Sequence, residues 1–199
     1  MAVAAGADVL VAQGNEAGGH TGRLGTLPCL SLVLAASAGV PVVASGGIAD
    51  GRSLAAVLAA GAEGAWIGTA LLATEEATEI PDSYKQRIVS SDGQDTVFTT
   101  LYDTLFDTRF PAGIAARVAA NRFTSDWDGR EAELRECRSE VLPTVSPLPL
   151  RGYDPDTDPT WMGQSAGAVS GVRPVAEVLR GLSDDAERTL RERLSALLQ

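Results

Sequence analysis

The sequence predicts an α/β fold built around a parallel β-sheet. Three short apolar runs, at residues 7–12, 40–44 and 64–67, have the length and composition of buried strands. Helical patterns lie between these runs, in the order expected of βαβ units. Each run ends in a glycine-rich junction, and the carboxyl ends of parallel strands are where α/β proteins bind ligands. We therefore expect the functional site at these junctions.

Composition limits the class of protein. With 199 residues, of which 45% are hydrophobic, the chain is long enough to bury one core with a small appendage. The formal net charge of -10 repels phosphate groups, so we expect neither nucleic acid nor an anionic membrane as a partner. No apolar run approaches the roughly 20 residues that a membrane-spanning helix needs.

The cysteines and the N-terminal residues bear on the compartment. The first ten residues lack the charged region and the long apolar region of a secretory signal. Cys29 and Cys137 form no CxxC pair and lie far along the chain from the only histidine, so no metal site is predicted. Two isolated thiols fit a reducing compartment, and we expect a cytoplasmic protein in which each cysteine packs as a small hydrophobe.

The predicted elements follow from helix caps, glycines and prolines. Residues 27–38 are predicted as a helix that Thr26 caps, and residues 51–60 as a helix that begins after Asp50 and ends at Gly61. Later in the chain, the pattern predicts helices at 74–91 (broken at Ile80–Pro81), 115–123 and 127–141, a strand at 97–100, and a last helix from about Ser183.

The same pattern divides the chain into four parts. We expect the parallel sheet in residues 1–72 and a largely helical segment in residues 73–141. Residues 142–172 are rich in proline and glycine, which predicts a wrapping loop, ordered or partly mobile. Residues 173–199 are predicted to carry the final helix.

Two of the glycine junctions have the features of a phosphate site. Gly46 and Gly47 end one strand just before a helix, and Gly68 and Thr69 end the next strand. Glycine lets the backbone approach a ligand closely, and free N–H groups on such turns bind phosphate without a lysine. A glycine after a strand is often a plain turn, so the pairing of two such junctions at consecutive strand ends carries the prediction.

The only histidine, His20, follows Gly18 and Gly19 in the first junction. A lone histidine is often a surface or structural residue, whereas an imidazole at a ligand-binding face can take up a proton near neutral pH. Glu16 could orient His20, cap a turn or face solvent, and the residues alone leave these alternatives open. Trp66 is expected in the core or in a pocket wall, and Trp161 is expected to pack in the C-terminal part.

Two segments resemble the nitronate monooxygenases, once called 2-nitropropane dioxygenases. The segments are AQGNEAGGHTG and PVVASGGIADGRSLAAVLAAGAEGAWIGTALL. The EAGGH string is specific to this family and its near relatives, while the GGI and GT pair is shared more widely among FMN-dependent barrels. The later strings RVAANRF and WMGQSAG are also similar to the C-terminal region of the family. The resemblance thus covers essentially the whole chain.

The resemblance implies a fold, a cofactor and roles for individual residues. The fold would be an FMN-dependent (β/α)8 barrel, and the activity would be oxidation of alkyl nitronates with O2 to carbonyl compounds and nitrite. His20 would be the base that removes the α-proton of a nitroalkane, while Gln13 and Gly18 would contact the flavin. The FMN phosphate would be held, largely through backbone N–H groups, by Gly47, Trp66, Ile67, Gly68 and Thr69.

In the family, further barrel strands precede the EAGGH strand, whereas here only the last three strands are expected. The resemblance therefore implies the C-terminal half of such an enzyme, with two open strand edges, either as a fragment or from a mis-started reading frame. Two alternatives remain from the sequence. One is an FMN-dependent enoyl-acyl-carrier-protein reductase of the same superfamily, which would also need NAD(P)H. The other is a truncated, non-catalytic chain or a subunit completed by a partner.

Overall fold

The computed structural model describes residues 2–147 and 152–197, in which six strands form two three-stranded sheets. The strands are β1 (Leu10–Gln13), β2 (Gly19–Thr21), β3 (Val42–Ser45), β4 (Gly64–Trp66), β5 (Thr96–Thr99) and β6 (Ala115–Ala119). The α-helices are α1 (Thr26–Ala36), α2 (Gly51–Ala59), α3 (Thr69–Leu72), α4 (Asp82–Val89), α5 (Leu101–Phe106), α6 (Arg122–Trp127), α7 (Glu131–Glu136), α8 (Arg138–Val141) and α9 (Val175–Leu197). Short 3-10 turns lie at Val3–Ala5, Leu142–Thr144 and Gln164–Ala168.

The first sheet confirms the predicted parallel α/β arrangement. Its strand order is β1-β3-β4, and both pairings are parallel. The register places Gln13 beside Ser45 and Ser45 beside Trp66. The three strands thus end at one level, which brings the three junctions that follow them to the same edge of the sheet.

The described residues form an open sheet and no closed barrel. In this sheet β1 and β4 each pair only with β3, so one edge of each is open. Apolar side chains lie exposed near these edges, since Val9 is 51% exposed and Trp66 is 64% exposed. The expectation of two open strand edges is met, and the α/β class is confirmed without a complete barrel.

The predicted helix at 115–123 is wrong. Residues Ala115–Ala119 form strand β6, which pairs antiparallel with β2 on one side and with β5 on the other. All five residues of β6 are buried. Alanine favours helices intrinsically, but the pairing of a fully buried central strand outweighs that local preference. A helix follows only at Arg122, where Asn121 forms a capping box with Thr124.

Other boundaries differ from the prediction because of local breaks. Gly129, with a φ of 72°, lies between the end of α6 and the start of α7. The rest of the expected helix at 127–141 is divided at Cys137 into α7 and α8. In the predicted 74–91 segment, only Asp82–Val89, after Pro81, is helical. The last helix begins at Val175, well before Ser183. The strand predicted at 97–100 is confirmed as β5, one residue earlier.

Caps account for the two helices of the parallel unit. Asp50 caps α2 as predicted, because its carboxylate accepts from the backbone N–H of Ser53 at 2.7 Å. Thr26 was expected to cap α1, but Gly25 holds the cap position and Thr26 is the first helical residue. Thr26 instead bonds to Glu16 and Gly46, so its hydroxyl joins loops rather than capping its own helix.

Helices and loops cover the sheets and hold the proline-rich segment in place. Helix α9 packs along α2, and Val178, Leu182 and Ala186 of α9 are buried. Within 142–172, both Thr160 and Met162 are fully buried, so the described part of this loop packs against the core.

Residues 148–151, with the predicted loop residue Pro149, lie outside the described residues. None of the described helices has the length and apolar character needed to cross a membrane.

Two leucines of α1 test which face of this helix supports the fold. Leu30 is fully buried against the parallel sheet, whereas Leu32 is 60% exposed. We expect Leu30→Ala to lower the free energy of unfolding by about 2–5 kcal/mol, because it leaves a cavity. The matched variant Leu32→Ala is expected to change it by no more than about 0.5 kcal/mol. Urea denaturation of both variants measures the difference, and equal losses would contradict the packing described.

Candidate active site

A cleft of about 260 Å³ lies at the carboxyl ends of the three parallel strands. Six of the eight predicted site residues line it: Gln13, Gly18, Gly47, Trp66, Gly68 and Thr69. Three strand ends that are distant in sequence therefore meet in one concave surface. The other two predicted residues, His20 and Ile67, lie outside the cleft lining. Ile67 instead packs against two hydrophobic clusters, one that contains Leu30 and Val42 and one that contains Ala73 and Tyr84.

The junction after β3 has a backbone shape that glycine permits. Gly46 and Gly47 have φ values of 100° and 71°, in the left-handed region. A Cβ on Gly46 would lie 2.9 Å from the backbone nitrogen of Ala17, so the backbones of the first and second junctions approach each other closely. Among the described residues, no loop hydrogen bond uses the N–H group of Gly47 or Gly68. Both groups are available to a ligand.

Glu16 holds the first junction in place. Its Oε2 atom accepts from the backbone N–H of Thr26 at 2.7 Å and lies 2.5 Å from Thr26 Oγ1. Thr26 Oγ1 also lies 2.9 Å from the carbonyl oxygen of Gly46, so this hydroxyl bridges two junctions. Of the alternatives for Glu16, the structure therefore shows the capping one, at the start of α1. Burial raises the pKa of the nearby Cys29 thiol, and the negative charge of Glu16 raises it further.

A segment of the proline-rich loop closes one side of the cleft. Gly163 donates its N–H to Thr69 Oγ1 at 2.9 Å, and Gln164 donates its N–H to the carbonyl oxygen of Glu16 at 2.9 Å. A Cβ on Gly163 would lie 2.3 Å from that same carbonyl oxygen. Trp161 and Ser165 of this segment line the cleft. Sequence reasoning assigned Trp161 to packing alone and did not single out Ser165.

His20 lies in strand β2 rather than in a loop. Its backbone pairs with Ala116 of β6, and its Nε2 atom lies 2.8 Å from Oδ1 of Asp103. The imidazole stacks on Phe110, with ring centroids 3.7 Å apart and an interplanar angle of 16°. Trp161, which lines the cleft, has its ring centroid 5.8 Å from that of His20. The aromatic ring of Trp161 thus connects the imidazole to the cleft.

Asp103 and Phe110 were missed because nothing in their sequence neighbourhood indicates a site. They lie 83 and 90 positions after His20, in a stretch whose pattern suggested only helical structure. Their approach to His20 depends on the β2–β6 pairing, which the predicted helix at 115–123 excluded. A correct strand assignment for residues 115–119 was the one signal that could have found them.

A buried arginine in the middle of β6 links the antiparallel sheet to the first junction. Arg117 of β6 donates from Nε to the carbonyl oxygen of Asn15 at 2.6 Å and from Nη1 to Thr96 Oγ1 at 3.0 Å. Burial lowers the pKa of this guanidinium, and Glu16 partly offsets the effect. Its carbon Cζ lies 5.8 Å from the ring centroid of Phe98. Arg117 therefore joins the second sheet to the first junction.

The fold and cleft define an α/β protein with a candidate ligand site at the ends of parallel strands. The sequence matches the nitronate monooxygenase family over residues 1–185, and the chain belongs to that family. Within the described residues, no group of three or more histidine, cysteine or acidic side chains could hold a metal ion.

Relatives with curated names include a nitronate monooxygenase and a carboxyl-CoA dehydrogenase. The nitronate monooxygenase npaC of Metarhizium robertsii is 37% identical, over 92% of this chain and 53% of its own length. A (3aS,4S,5R,7aS)-5-hydroxy-7a-methyl-1-oxo-octahydro-1H-indene-4-carboxyl-CoA dehydrogenase of Rhodococcus jostii is 50% identical, over 46% of this chain and 25% of its own length. The match to this chain thus covers between a quarter and about half of the length of these relatives.

Two solved structures share the fold at similar sequence identity. FabK from Thermotoga maritima superposes with a TM-score of 0.83 at 32% identity, covering 98% of this chain and 60% of FabK. Nitroalkane oxidase from Streptomyces ansochromogenes gives a TM-score of 0.74 at 32% identity, covering 96% of this chain and 55% of that enzyme. In both, nearly all of this chain corresponds to somewhat more than half of the known structure.

Thr26 tests whether the hydroxyl bridge between the junctions stabilises the site. We expect Thr26→Val to lower the free energy of unfolding by about 1–3 kcal/mol, because it removes the hydroxyl donor shared by Glu16 and Gly46. Thr26→Ser keeps the hydroxyl and should lose less than half as much. Urea denaturation of the two variants makes the comparison, and an unchanged free energy of unfolding in Thr26→Val would show that the hydroxyl bridge does not stabilise the site.

Proposed function

We propose that this chain carries the FMN site and the catalytic base of a nitronate monooxygenase, which oxidises alkyl nitronates with O2 to carbonyl compounds and nitrite. The observation that carries the proposal is the convergence of Gln13, Gly18, Gly47, Gly68 and Thr69 on one cleft. These residues come from three strand ends and are the positions at which the family resemblance implies flavin contacts. Membership of the family supports the same reaction class.

The residues of the cleft fit the phosphate end of FMN. Within the described part of the chain, the N–H groups of Gly47 and Gly68 take part in no loop hydrogen bond, and Gly47 has a positive φ. A Cβ on Gly68 would meet nothing within 4 Å, so open space lies where a ligand would sit. The cleft volume of about 260 Å³ is just below the roughly 300–1,000 Å³ of whole ligand pockets. These residues would therefore supply one side of the cofactor site.

The side chains near the cleft suit proton removal from carbon. His20 would take the α-proton of a neutral nitroalkane, and Phe110 and Trp161 would provide apolar walls beside it. The chemistry supplied by bound FMN is electron transfer from the nitronate to the flavin and on to O2. A nitronate that is already deprotonated would need the flavin site but not the base.

A second candidate function is oxidation or reduction of a thioester substrate. It is favoured by the 50% identity to the carboxyl-CoA dehydrogenase of Rhodococcus jostii over 46% of this chain. This second candidate includes the FMN-dependent enoyl-acyl-carrier-protein reductase, which the sequence leaves as an alternative. NADH-independent release of nitrite from a nitronate would favour the monooxygenase. Consumption of NAD(P)H or flavin reduction that requires an acyl thioester would favour the second candidate.

Gly68 tests the cofactor site without disturbing the fold. Its Cβ position is open and its φ of -109° suits any residue, so Gly68→Val should fold normally but occupy the phosphate site. We expect FMN to bind at least about tenfold more weakly, equivalent to about 1.4 kcal/mol. The matched control Gly171→Val also adds a side chain in open space, but outside the cleft lining.

The measurement is flavin absorbance after mixing with FMN and desalting, followed by titration of the tryptophan fluorescence with FMN. The unchanged chain and Gly171→Val should retain flavin, and Gly68→Val should not. Thermal unfolding of both variants shows that they are folded. Equal retention by Gly68→Val and the unchanged chain would contradict the proposed phosphate site, and no retention by any of them would contradict FMN binding by this chain.

His20→Asn tests the base. We expect turnover of a neutral nitroalkane to fall by roughly 10²–10⁴-fold, the contribution of a positioned general base. Turnover of a preformed nitronate should change far less, because no proton has to be removed from it. Nitrite release is measured for both substrates in the FMN-loaded protein. Equal losses on the two substrates would remove His20 from the role of base.

A further inference from the structure

We propose that Asp103 is a positioning residue for His20, holding the Nε2–H of the imidazole so that Nδ1 is the atom that takes the substrate proton. The proposal rests on the proposed function insofar as it assigns the proton transfer to His20. The orientation of the ring by Asp103 stands on the geometry of the two side chains.

The contact between the two side chains sets the tautomer. His20 Nε2 lies 2.8 Å from Asp103 Oδ1, a normal hydrogen-bond distance. An ionised carboxylate has no hydrogen to donate, so Nε2 carries the hydrogen and Nδ1 keeps its lone pair in the neutral ring. The aspartate of a serine protease triad acts on its histidine in this way. The Asp103 side chain is only 11% exposed, which shields the bond from water.

Asp103 is itself held by its own helix end. Thr108 donates its hydroxyl to the same Oδ1 atom at 2.8 Å and its backbone N–H to the Asp103 carbonyl oxygen at 3.0 Å. Asp107 adopts a left-handed φ of 57° that ends α5 and turns the chain back toward Asp103. Leu101 and Leu105 of α5 are buried, which fixes the helix against the core. The carboxylate therefore points at His20 from a rigid base.

The imidazole is restrained on two further sides. The β2–β6 ladder fixes the His20 backbone, and Phe110 stacks on the ring face at 3.7 Å. The stack accommodates two ring orientations that are related by a 180° turn about the Cβ–Cγ bond, which exchanges Nε2 with Cε1 and Nδ1 with Cδ2. The bond to Asp103 selects the orientation that places Nε2 at the carboxylate. We therefore assign the orientation of the His20 ring to Asp103 and not to the stacking on Phe110.

The test begins with nuclear magnetic resonance of the chain without cofactor. His20 is the only histidine, so its ring protons and nitrogens need no further assignment. In the unchanged chain, we expect one ring-current-shifted set of proton signals. At a pH where the ring is neutral, we also expect a protonated Nε2 and an unprotonated Nδ1.

Asp103→Asn should shift these proton signals toward those of free histidine and mix the two tautomers. Asp107→Asn is the matched control, because Asp107 pairs with Arg138 and not with His20, and asparagine tolerates its left-handed backbone. Its spectrum should match that of the unchanged chain. If the His20 signals are the same in Asp103→Asn, Asp103 does not orient the ring and the proposal is overturned.

The second arm measures turnover in the FMN-loaded protein. Asp103→Asn should lower kcat/KM for a neutral nitroalkane by roughly 10- to 10²-fold, part of what a positioned base supplies, with little change for a preformed nitronate. A changed spectrum with no such selective loss, while His20→Asn shows one, would overturn the proposed role in catalysis. If His20→Asn itself shows no selective loss, the proposed function fails, and the spectra still decide whether Asp103 orients the ring.

Discussion

The register of the parallel sheet is the constraint on which the candidate site depends. Gln13, Ser45 and Trp66 are lateral neighbours across β1, β3 and β4. Because these residues end their strands at one level, the following backbones converge within a few ångströms. A shift of the register would separate the junctions along the sheet and move each inward-facing side chain to the opposite face. The cleft therefore depends first on how the strands pair, and only then on the side chains that line it.

Backbone contacts then lock the junctions together. Gly46 and Gly163 each approach another backbone so closely that a methyl group would collide with it. Glu16 bonds to the start of α1 through its carboxylate and to Gln164 through its carbonyl oxygen. A loop without regular structure thus becomes a wall of the site, because its polar backbone groups find partners in the junctions. The glycines serve close packing as well as ligand access.

The candidate base lies on the second sheet, directly after residues that line the cleft. His20 is in β2, which pairs with β6, whereas the other two glycine junctions follow strands of the parallel sheet. Gly19 precedes His20 in β2 and lines the cleft. A short chain segment after Glu16 connects the two sheets, and Trp161 lies between the imidazole and the cleft. Asp103 of α5 contacts the imidazole but is not among the residues that line the cleft.

The sequence by itself determined the parallel unit, because strand composition, the Asp50 cap and the glycine junctions are local signals that agree with one another. Strand ends of a parallel sheet meet wherever the strands pair, and this argument pointed to Gly47, Gly68 and Thr69 of the cleft. The family resemblance added Gln13, Gly18 and Trp66. Only the tertiary structure decided that residues 115–119 form a strand, because their burial between two partners outweighs the helical preference of alanine. The pairing of His20 with Asp103 likewise depends on contacts between residues 83 positions apart, which no local pattern encodes.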